Sequence, residues 1–144
     1  MRIIGIVCGL MLFTLQGTEA HASFSELKED LTLFQEARDN FYYVADKANE
    51  VRIYTDIESR FAGDCEDFAY SLAMKIGGEV WFTYNAKKVP HAVVVTEYGM
   101  VFDNELEWPM RKDVYPNKLL FKIGFSHFDT VFVNGEIAKQ KKVQ

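Results

Sequence analysis

The sequence has few cysteines, little basic charge and no apolar stretch of membrane-spanning length. Two cysteines, Cys8 and Cys65, occur in 144 residues, so no framework of several disulfides holds the fold. The formal net charge of −5 makes nucleic acid or anionic lipid a poor partner. The apolar run at residues 3–13 is shorter than the roughly 20 residues that a transmembrane helix needs. P-loop, dinucleotide-binding, zinc-protease and Gly-x-Ser-x-Gly patterns are absent, which argues against those enzyme classes.

The N-terminus has the features of a secretory signal peptide. Arg2 supplies a positive charge, residues 3–13 form an apolar segment, and Ala-His-Ala at residues 20–22 has the small-x-small pattern of a cleavage site. We expect residues 1–22 to be removed, and the mature protein to lie in the periplasm without a transmembrane anchor. Retention of the uncleaved segment as an anchor is the alternative. Residues 23–144 then suffice for a single domain with one hydrophobic core.

Hydrophobic periodicity predicts two helices in the first half of the mature chain. From residue 23 to about residue 49, apolar residues recur at spacings of three, four or seven, which indicates one long amphipathic helix. Ser23 and Glu26 have the spacing of a capping box at its start. Residues 50–63 indicate a connection with a short helical turn. A second helix is expected over 64–76, with Asp64 as its N-cap and glycines after its end.

After residue 78 the pattern changes to that of strands. We expect strands at the following ranges: 79–84, 91–97, 100–103, 119–123 and 130–133. Tyr98-Gly99 indicates the tight turn of a hairpin between the second and third of these strands. Helices followed by strands predict an α+β fold in which N-terminal helices pack on an antiparallel β-sheet.

Cys65 lies at the first position of the second predicted helix. Once the signal peptide is removed it is the remaining thiol in an oxidising compartment, so it is a buried bystander, an intermolecular partner or a reactive group. Unpaired N–H groups and the dipole at a helix N-terminus favour negative charge, and we therefore expect a lowered thiol pKa. The same N–H groups can hold a developing oxyanion. A structural cysteine would more naturally lie on the apolar face of the helix.

His91 and Asp103 complete a candidate catalytic triad with Cys65. His91 begins one strand of the predicted hairpin and Asp103 ends the other, so the two side chains can meet. In such a triad Cys65 attacks a carbonyl carbon, His91 carries the proton and Asp103 fixes the tautomer of the imidazole. Each residue alone is common in inert proteins. Their order, with cysteine on a helix followed by histidine and aspartate on successive strands, is the order that a papain-like core requires.

Three motifs resemble those of one family. Gly-Asp-Cys-Glu-Asp-Phe-Ala at residues 63–69 is similar to the signature of bacterial transglutaminase-like cysteine peptidases, which belong to the papain-like and transglutaminase superfamily. His-Ala-Val at 91–93 and Val-Phe-Asp-Asn at 101–104 resemble the strand motifs of the same family. Tyr-Thr at 54–55 resembles its aromatic-x-Thr segment, with tyrosine where tryptophan is more usual. The best-known members are calcium-dependent periplasmic proteases that release surface adhesins.

The resemblance implies a papain-like, transglutaminase-like core and carries the triad roles to the three residues named above. It makes Tyr54, Asp64 and Asn104 candidates for binding substrate or an oxyanion. It also implies calcium at Asp64 and Glu66, with Asp67 as a further candidate, whereas the alternative is that these acids only stabilise the helix dipole. No other cofactor is required for the chemistry.

The expected function is that of an exported cysteine hydrolase that cleaves a peptide or amide bond through a thioacyl-enzyme. Its substrate is expected to be a protein or peptide of the cell envelope, and the resemblance implies a membrane receptor or an inhibitor as a further partner. The intervals between the triad residues are shorter than in the adhesin proteases, so adhesin cleavage is not carried over. Acyl transfer of the transglutaminase type and a catalytically silent binding or inhibitor protein are the alternatives.

Overall fold

The computed structural model describes residues 22–46 and 49–141, which form a mixed α+β fold with two α-helices. The expected signal peptide lies outside the described residues apart from Ala22. None of the helices in the described part of the chain has the length and apolar character needed to cross a bilayer. The elements are α1 (Phe24–Asn40), β1 (Phe41–Tyr43), β2 (Glu50–Ile53), β3 (Phe61–Gly63), α2 (Cys65–Ile76), β4 (Glu79–Tyr84), β5 (Pro90–Val95), β6 (Met100–Phe102), β7 (Met110–Arg111), β8 (Phe121–Lys122), a 3₁₀ turn (Phe125–His127), β9 (Thr130–Val133) and β10 (Glu136–Gln140).

The first helix begins as predicted but ends nine residues early, at Asn40 instead of about residue 49. Its start has the predicted capping box, because Ser23 Oγ accepts a hydrogen bond from the Glu26 N–H at 3.2 Å. At its end, the Asn40 amide donates to the carbonyl of Glu58 at 2.9 Å. The chain then becomes extended as β1, which pairs in parallel with β3. The helical periodicity beyond residue 40 was misleading because pairing with a distant strand determines the conformation of this aromatic segment.

Residues 50–63 contain two strands, and the predicted helical turn is wrong. Val51 and Ile53 of β2 are buried, and the strand pairs in parallel with β9, whose other neighbour is the antiparallel β10. The protein therefore has a mixed three-stranded sheet and a small parallel pair, β1–β3, beside the antiparallel sheet that the sequence predicts. A parallel partner lies far away in the sequence, so a local pattern cannot reveal it.

The main sheet is antiparallel and has the order β7-β6-β5-β4-β8. The predicted hairpin is present as β5 and β6, joined by the turn at Tyr98 and Gly99, with Val94 opposite Phe102. Helix α2 packs on this sheet, and α1 packs beside α2, where the Phe34 ring contacts Phe68 of α2 and Phe102 of β6. The core between them contains the fully buried side chains of Phe34, Phe68 and Leu72. Each such side chain contributes about 1.5–3 kcal/mol by burial, and this packing fixes α2 against β5.

Candidate active site

The turn before Cys65 is built by two aspartates that cap α2. Asp64 Oδ1 accepts hydrogen bonds from the N–H groups of Glu66 at 3.1 Å and Asp67 at 3.3 Å. In return, Asp67 Oδ2 accepts from the Asp64 N–H at 3.1 Å, which completes a capping box. Gly63 fits here because an added Cβ would lie only 2.6 Å from Asp67 Cγ. The spacing Gly-Asp-x-x-Asp is thus explained by the geometry of one helix start.

Cys65 is the first residue of α2, and its half-buried sulfur lies against the beginning of β5. The thiol donates to Glu66 Oε2 at 3.5 Å, and the backbone N–H of Ala92 donates to the sulfur. Ala92 directly follows His91, so the fold brings the thiol to the neighbourhood of the predicted base. Within the described residues, no hydrogen bond joins the sulfur to the His91 ring itself.

The pKa of the Cys65 thiol is raised, and the expectation of a lowered value is wrong. Burial is the largest cause, and the negative charges of Glu66 and Asp64 act in the same direction. The hydrogen bond from the Ala92 N–H opposes them but is outweighed. Burial and the two neighbouring carboxylates therefore disfavour the thiolate. The thiol is protonated at rest in this arrangement.

His91 and Asp103 meet as predicted. His91 Nε2 lies 2.7 Å from Asp103 Oδ1, and the two residues are only 4% and 1% exposed. Burial by itself lowers the pKa of His91, but the hydrogen bond to Asp103 and its charge outweigh burial and raise that pKa above its ordinary value. For Asp103, burial is likewise outweighed by the bond with His91, so its pKa is lowered. The pair favours an imidazolium next to a carboxylate, with the ring held through Nε2.

Tyr115 is a member of this cluster that the sequence did not reveal. Its hydroxyl donates to Asp103 Oδ2 at 2.7 Å, and Asn117 Nδ2 lies 3.3 Å from the Tyr115 oxygen. The Glu105 N–H donates to Asp103 Oδ1 at 2.9 Å. Tyr115 lies in a segment without regular periodicity, and we find no local signal that would have placed it beside Asp103.

Two of the predicted substrate or oxyanion residues have other bonds in the fold. The Tyr54 hydroxyl donates to the Ala62 carbonyl at 2.8 Å, and its ring packs on Phe61. The Asn104 carbonyl accepts from Arg38, while its buried Oδ1 has no partner among the described residues. An amide oxygen cannot stabilise an oxyanion, so the Nδ2 end of Asn104 would have to serve. Neither Tyr54 nor Asn104 forms a hydrogen bond with the side chains of Cys65, His91 or Asp103.

An acidic cluster surrounds the turn. Donor atoms of Asp46, Asp64 and Asp67 lie within 4.8 Å of one another, and so do those of Asp64, Cys65 and Glu66. Burial and the charge of Asp64 raise the pKa of Glu66 to about 7. Burial raises the pKa of Asp67 to about 7 as well, against the hydrogen bonds that its oxygens accept from backbone N–H groups.

Asp46 is the unexpected member of the acidic cluster. Its side chain is 4% exposed, Oδ2 is 2.9 Å from Arg52 Nη1, and the buried Oδ1 has no hydrogen-bond partner in the described part of the chain. Carboxylate oxygens are the ligands that calcium prefers, and Asp64 offers them in two groups, one with Glu66 and one with Asp46 and Asp67. Asp67 fits less well, because both of its oxygens already accept backbone N–H groups. The predicted pair Asp64 and Glu66 and the pair Asp46 and Asp64 are therefore two candidate donor sets that share Asp64.

A cavity of 530 Å³ adjoins the acidic side of the turn. It is lined by charged, aromatic and small residues: Val44, Ala45, Asp46, Glu50, Arg52, Tyr54, Ala62 and Gly63. A second cavity of 370 Å³ lies between the end of α2 and β8, and its lining is mostly apolar. Neither cavity is lined by a triad residue. The first reaches the turn that carries Cys65 and includes Tyr54, a predicted substrate-binding residue.

No protein-family model matches the sequence, and no curated protein matches it.

Proposed function

We propose that the protein is an exported cysteine hydrolase with a papain-like, transglutaminase-like core, which cleaves a peptide or amide bond through Cys65, His91 and Asp103. One observation supports this most strongly. Asp103 binds His91 through Nε2 at 2.7 Å, which leaves Nδ1 for a proton from the thiol. The residue after His91 donates its N–H to the Cys65 sulfur, so the acid–base pair and the nucleophile occupy one small region.

The chemistry follows the residues in order. Sγ of Cys65 attacks the carbonyl carbon while His91 takes the thiol proton, and Asp103 stabilises the imidazolium. His91 then gives the proton to the leaving amine, and the amide bond breaks to leave a thioacyl-enzyme. Water adds to this thioester with His91 as base, and the acid product and free thiol are released. The Cys65 N–H is the candidate oxyanion donor, because the next two N–H groups of the helix already donate to Asp64.

The raised thiol pKa favours one form of this mechanism. Cys65 starts as a neutral thiol, so His91 must be in its neutral form to act as a general base during attack, and no thiolate–imidazolium pair exists beforehand. Calcium, which the family resemblance implies, would be held by Asp64 together with Asp46 or Glu66 and would supply positive charge beside the thiol. We expect calorimetry to detect calcium binding that Asp46→Asn weakens at least about tenfold; equal heats with both proteins would argue against this site.

The experiment that tests the proposal is alkylation of Cys65 by iodoacetamide as a function of pH, followed by mass spectrometry of the Cys65 peptide. In wild type we expect the rate at neutral pH to depend on His91 and to fall about tenfold or more in His91→Ala. His127→Gln is the matched control, since His127 lies on the exposed 3₁₀ turn and bonds to Gly124. Identical pH profiles for wild type and His91→Ala would contradict the triad.

A binding or inhibitor protein is the second candidate, and one observation favours it. The pKa of the thiol is raised, and His91 and Asp103 are almost fully buried, so the site at rest resembles an inert polar core. Alkylation of Cys65 at the same rate in wild type and in His91→Ala would support this candidate.

Transglutaminase-type transfer needs the same triad, and incorporation of a labelled amine into a glutamine peptide would distinguish it from hydrolysis. The proposed partners are a protein or peptide of the cell envelope and, by resemblance, a membrane receptor or inhibitor.

A further inference from the structure

We propose that Tyr115 is a positioning residue that orients His91 through Asp103, and that Asn117 sets the direction of its hydroxyl. The inference rests on the proposed function, because it assigns a role within the same acid–base pair. The Tyr115 hydroxyl donates to Asp103 Oδ2 at 2.7 Å, while Asp103 Oδ1 binds His91 at 2.7 Å and the Glu105 N–H at 2.9 Å. Each carboxylate oxygen thus has a defined partner, and the carboxylate plane is fixed.

Asn117 gives the tyrosine hydroxyl its direction. Its side-chain amide lies 3.3 Å from the Tyr115 oxygen and can only donate from Nδ2. A hydroxyl that accepts from Asn117 keeps its own proton for Asp103. Asn117 therefore donates to Tyr115, and Tyr115 donates to Asp103 Oδ2, the carboxylate oxygen that does not bind His91.

The Tyr115 ring is held by the second hydrophobic cluster of the protein. It packs with Val93, Val95 and Val101, which lie on the face of the β5–β6 hairpin away from α2. The core around α2 includes Ala92, on the opposite face of β5. Tyr115 thus connects a packed layer outside the main core to the acid of the triad. Such anchoring of an outer partner is what keeps a functional group in one orientation.

Removal of the hydroxyl has a defined electrostatic result. Without the Tyr115 donor, the Asp103 carboxylate is less stabilised and holds the His91 proton more strongly. The other ionisable groups facing His91 are Glu105 after β6 and Glu66 on α2, and neither changes in this variant. The His91 pKa should therefore rise in Tyr115→Phe. A tyrosine that only fills space would leave it unchanged, because phenylalanine fills almost the same volume.

The test is an NMR titration of the His91 imidazole in the purified protein, assigned by comparison with His127→Gln. We expect an upward pKa shift of roughly a few tenths of a unit in Tyr115→Phe and a smaller shift in the same direction in Asn117→Ala. Tyr70→Phe is the matched control, because it also removes a buried hydroxyl, which donates to the Ile123 carbonyl, and it should leave His91 unchanged. An equal His91 pKa in wild type, Tyr115→Phe and Asn117→Ala would overturn the inference. If Tyr115→Phe does not fold, Asn117→Ala decides alone.

Alkylation of Cys65 separates this inference from the proposed function. If His91→Ala slows alkylation and Tyr115→Phe moves the His91 titration, both stand. If the alkylation rate of Cys65 is unchanged in His91→Ala while the His91 pKa still rises in Tyr115→Phe, the hydrolase proposal fails and the positioning of His91 by Tyr115 stands. If alkylation depends on His91 but the titration is unmoved, the proposed function stands and Tyr115 has no positioning role.

Discussion

Replacement of Gly63 by alanine should strongly destabilise the protein, although the position lies outside any proposed catalytic role. The backbone is not the reason, because Gly63 does not have a positive φ. The reason is space: a Cβ would lie 2.6 Å from Asp67 Cγ and 2.5 Å from Asp67 Cβ, and closer still to its Oδ2. Real Cβ atoms essentially never approach heavy atoms within 3.0 Å. Asp67 is fully buried, so it cannot swing into solvent without opening the turn.

The magnitude follows from what Asp67 would lose. Its carboxylate accepts from the Arg52 N–H at 2.6 Å and from the Asp64 N–H at 3.1 Å. Above pH 7, where the carboxylate is ionised, hydrogen bonds to a charged group contribute about 1.5–3 kcal/mol each, so loss of both destabilises the fold by about 3–6 kcal/mol. That is a large fraction of the roughly 5–15 kcal/mol that holds a typical domain folded. Because one bond anchors β2 and the other caps α2, the damage should reach Cys65.

Urea unfolding followed by circular dichroism measures this effect. Gly124→Ala is the matched control, because the nearest heavy atom to its Cβ is Ser126 Oγ at 3.8 Å. We expect Gly124→Ala to change the free energy of unfolding by no more than about 0.5 kcal/mol. A free energy of unfolding for Gly63→Ala within about 1 kcal/mol of wild type would refute the account of this turn.

Three further predictions concern the charges of the site. Asp103→Ala should lower the His91 pKa below its ordinary value of about 6.5, because burial then acts without the compensating carboxylate; an NMR titration in which the pKa stays raised would argue against the pair. The fold should become more stable from pH 8 to pH 5.5. The reason is that Glu66 and Asp67 have pKa values raised to about 7, so their contribution is full below their unfolded values and is lost as pH rises through 7. Urea midpoints should show a gain on the order of 1–3 kcal/mol, discounted for screening at half-buried Glu66, and a midpoint that is constant or falls over this range would contradict it. Glu66→Gln should lower the Cys65 pKa and speed its alkylation at pH 7.5, and an unchanged rate would show that burial alone controls the thiol.

Local signals in the sequence were sufficient for the elements that carry Cys65, His91 and Asp103. The cap at Asp64 and the stop at Gly77 defined α2 to within one residue, and the turn at Gly99 defined the hairpin. Those two elements place His91 against Asp103 and bring Cys65 to the start of β5. The contact of His91 with Asp103 and the position of Cys65 at the start of α2 could therefore be predicted, because short-range rules govern both supports.

Long-range pairing explains what the sequence could not show. Helix α1 ends at Asn40 because the following residues pair with β3, and β2 exists because β9 lies beside it. Neither partner is visible in a local window of residues. The sequence did not reveal Tyr115 for the same reason, since its role depends on a hydrogen bond to Asp103 across an irregular segment. Local periodicity was also the wrong guide where an aromatic run suits a strand as well as a helix.

The three acids of the first helical turn have different roles, and the difference bears on the thiol. Asp64 and Asp67 cap the helix through three hydrogen bonds to backbone N–H groups, and Asp67 also accepts from the Arg52 N–H on β2, so the fold alone explains them. Glu66 has no part in the cap, and its carboxylate accepts from the Cys65 thiol. A carboxylate there disfavours a thiolate, which a purely structural helix start would not require. The arrangement instead makes reactivity conditional: the Cys65 proton must pass to His91 during attack, or positive charge must first offset the acids around it.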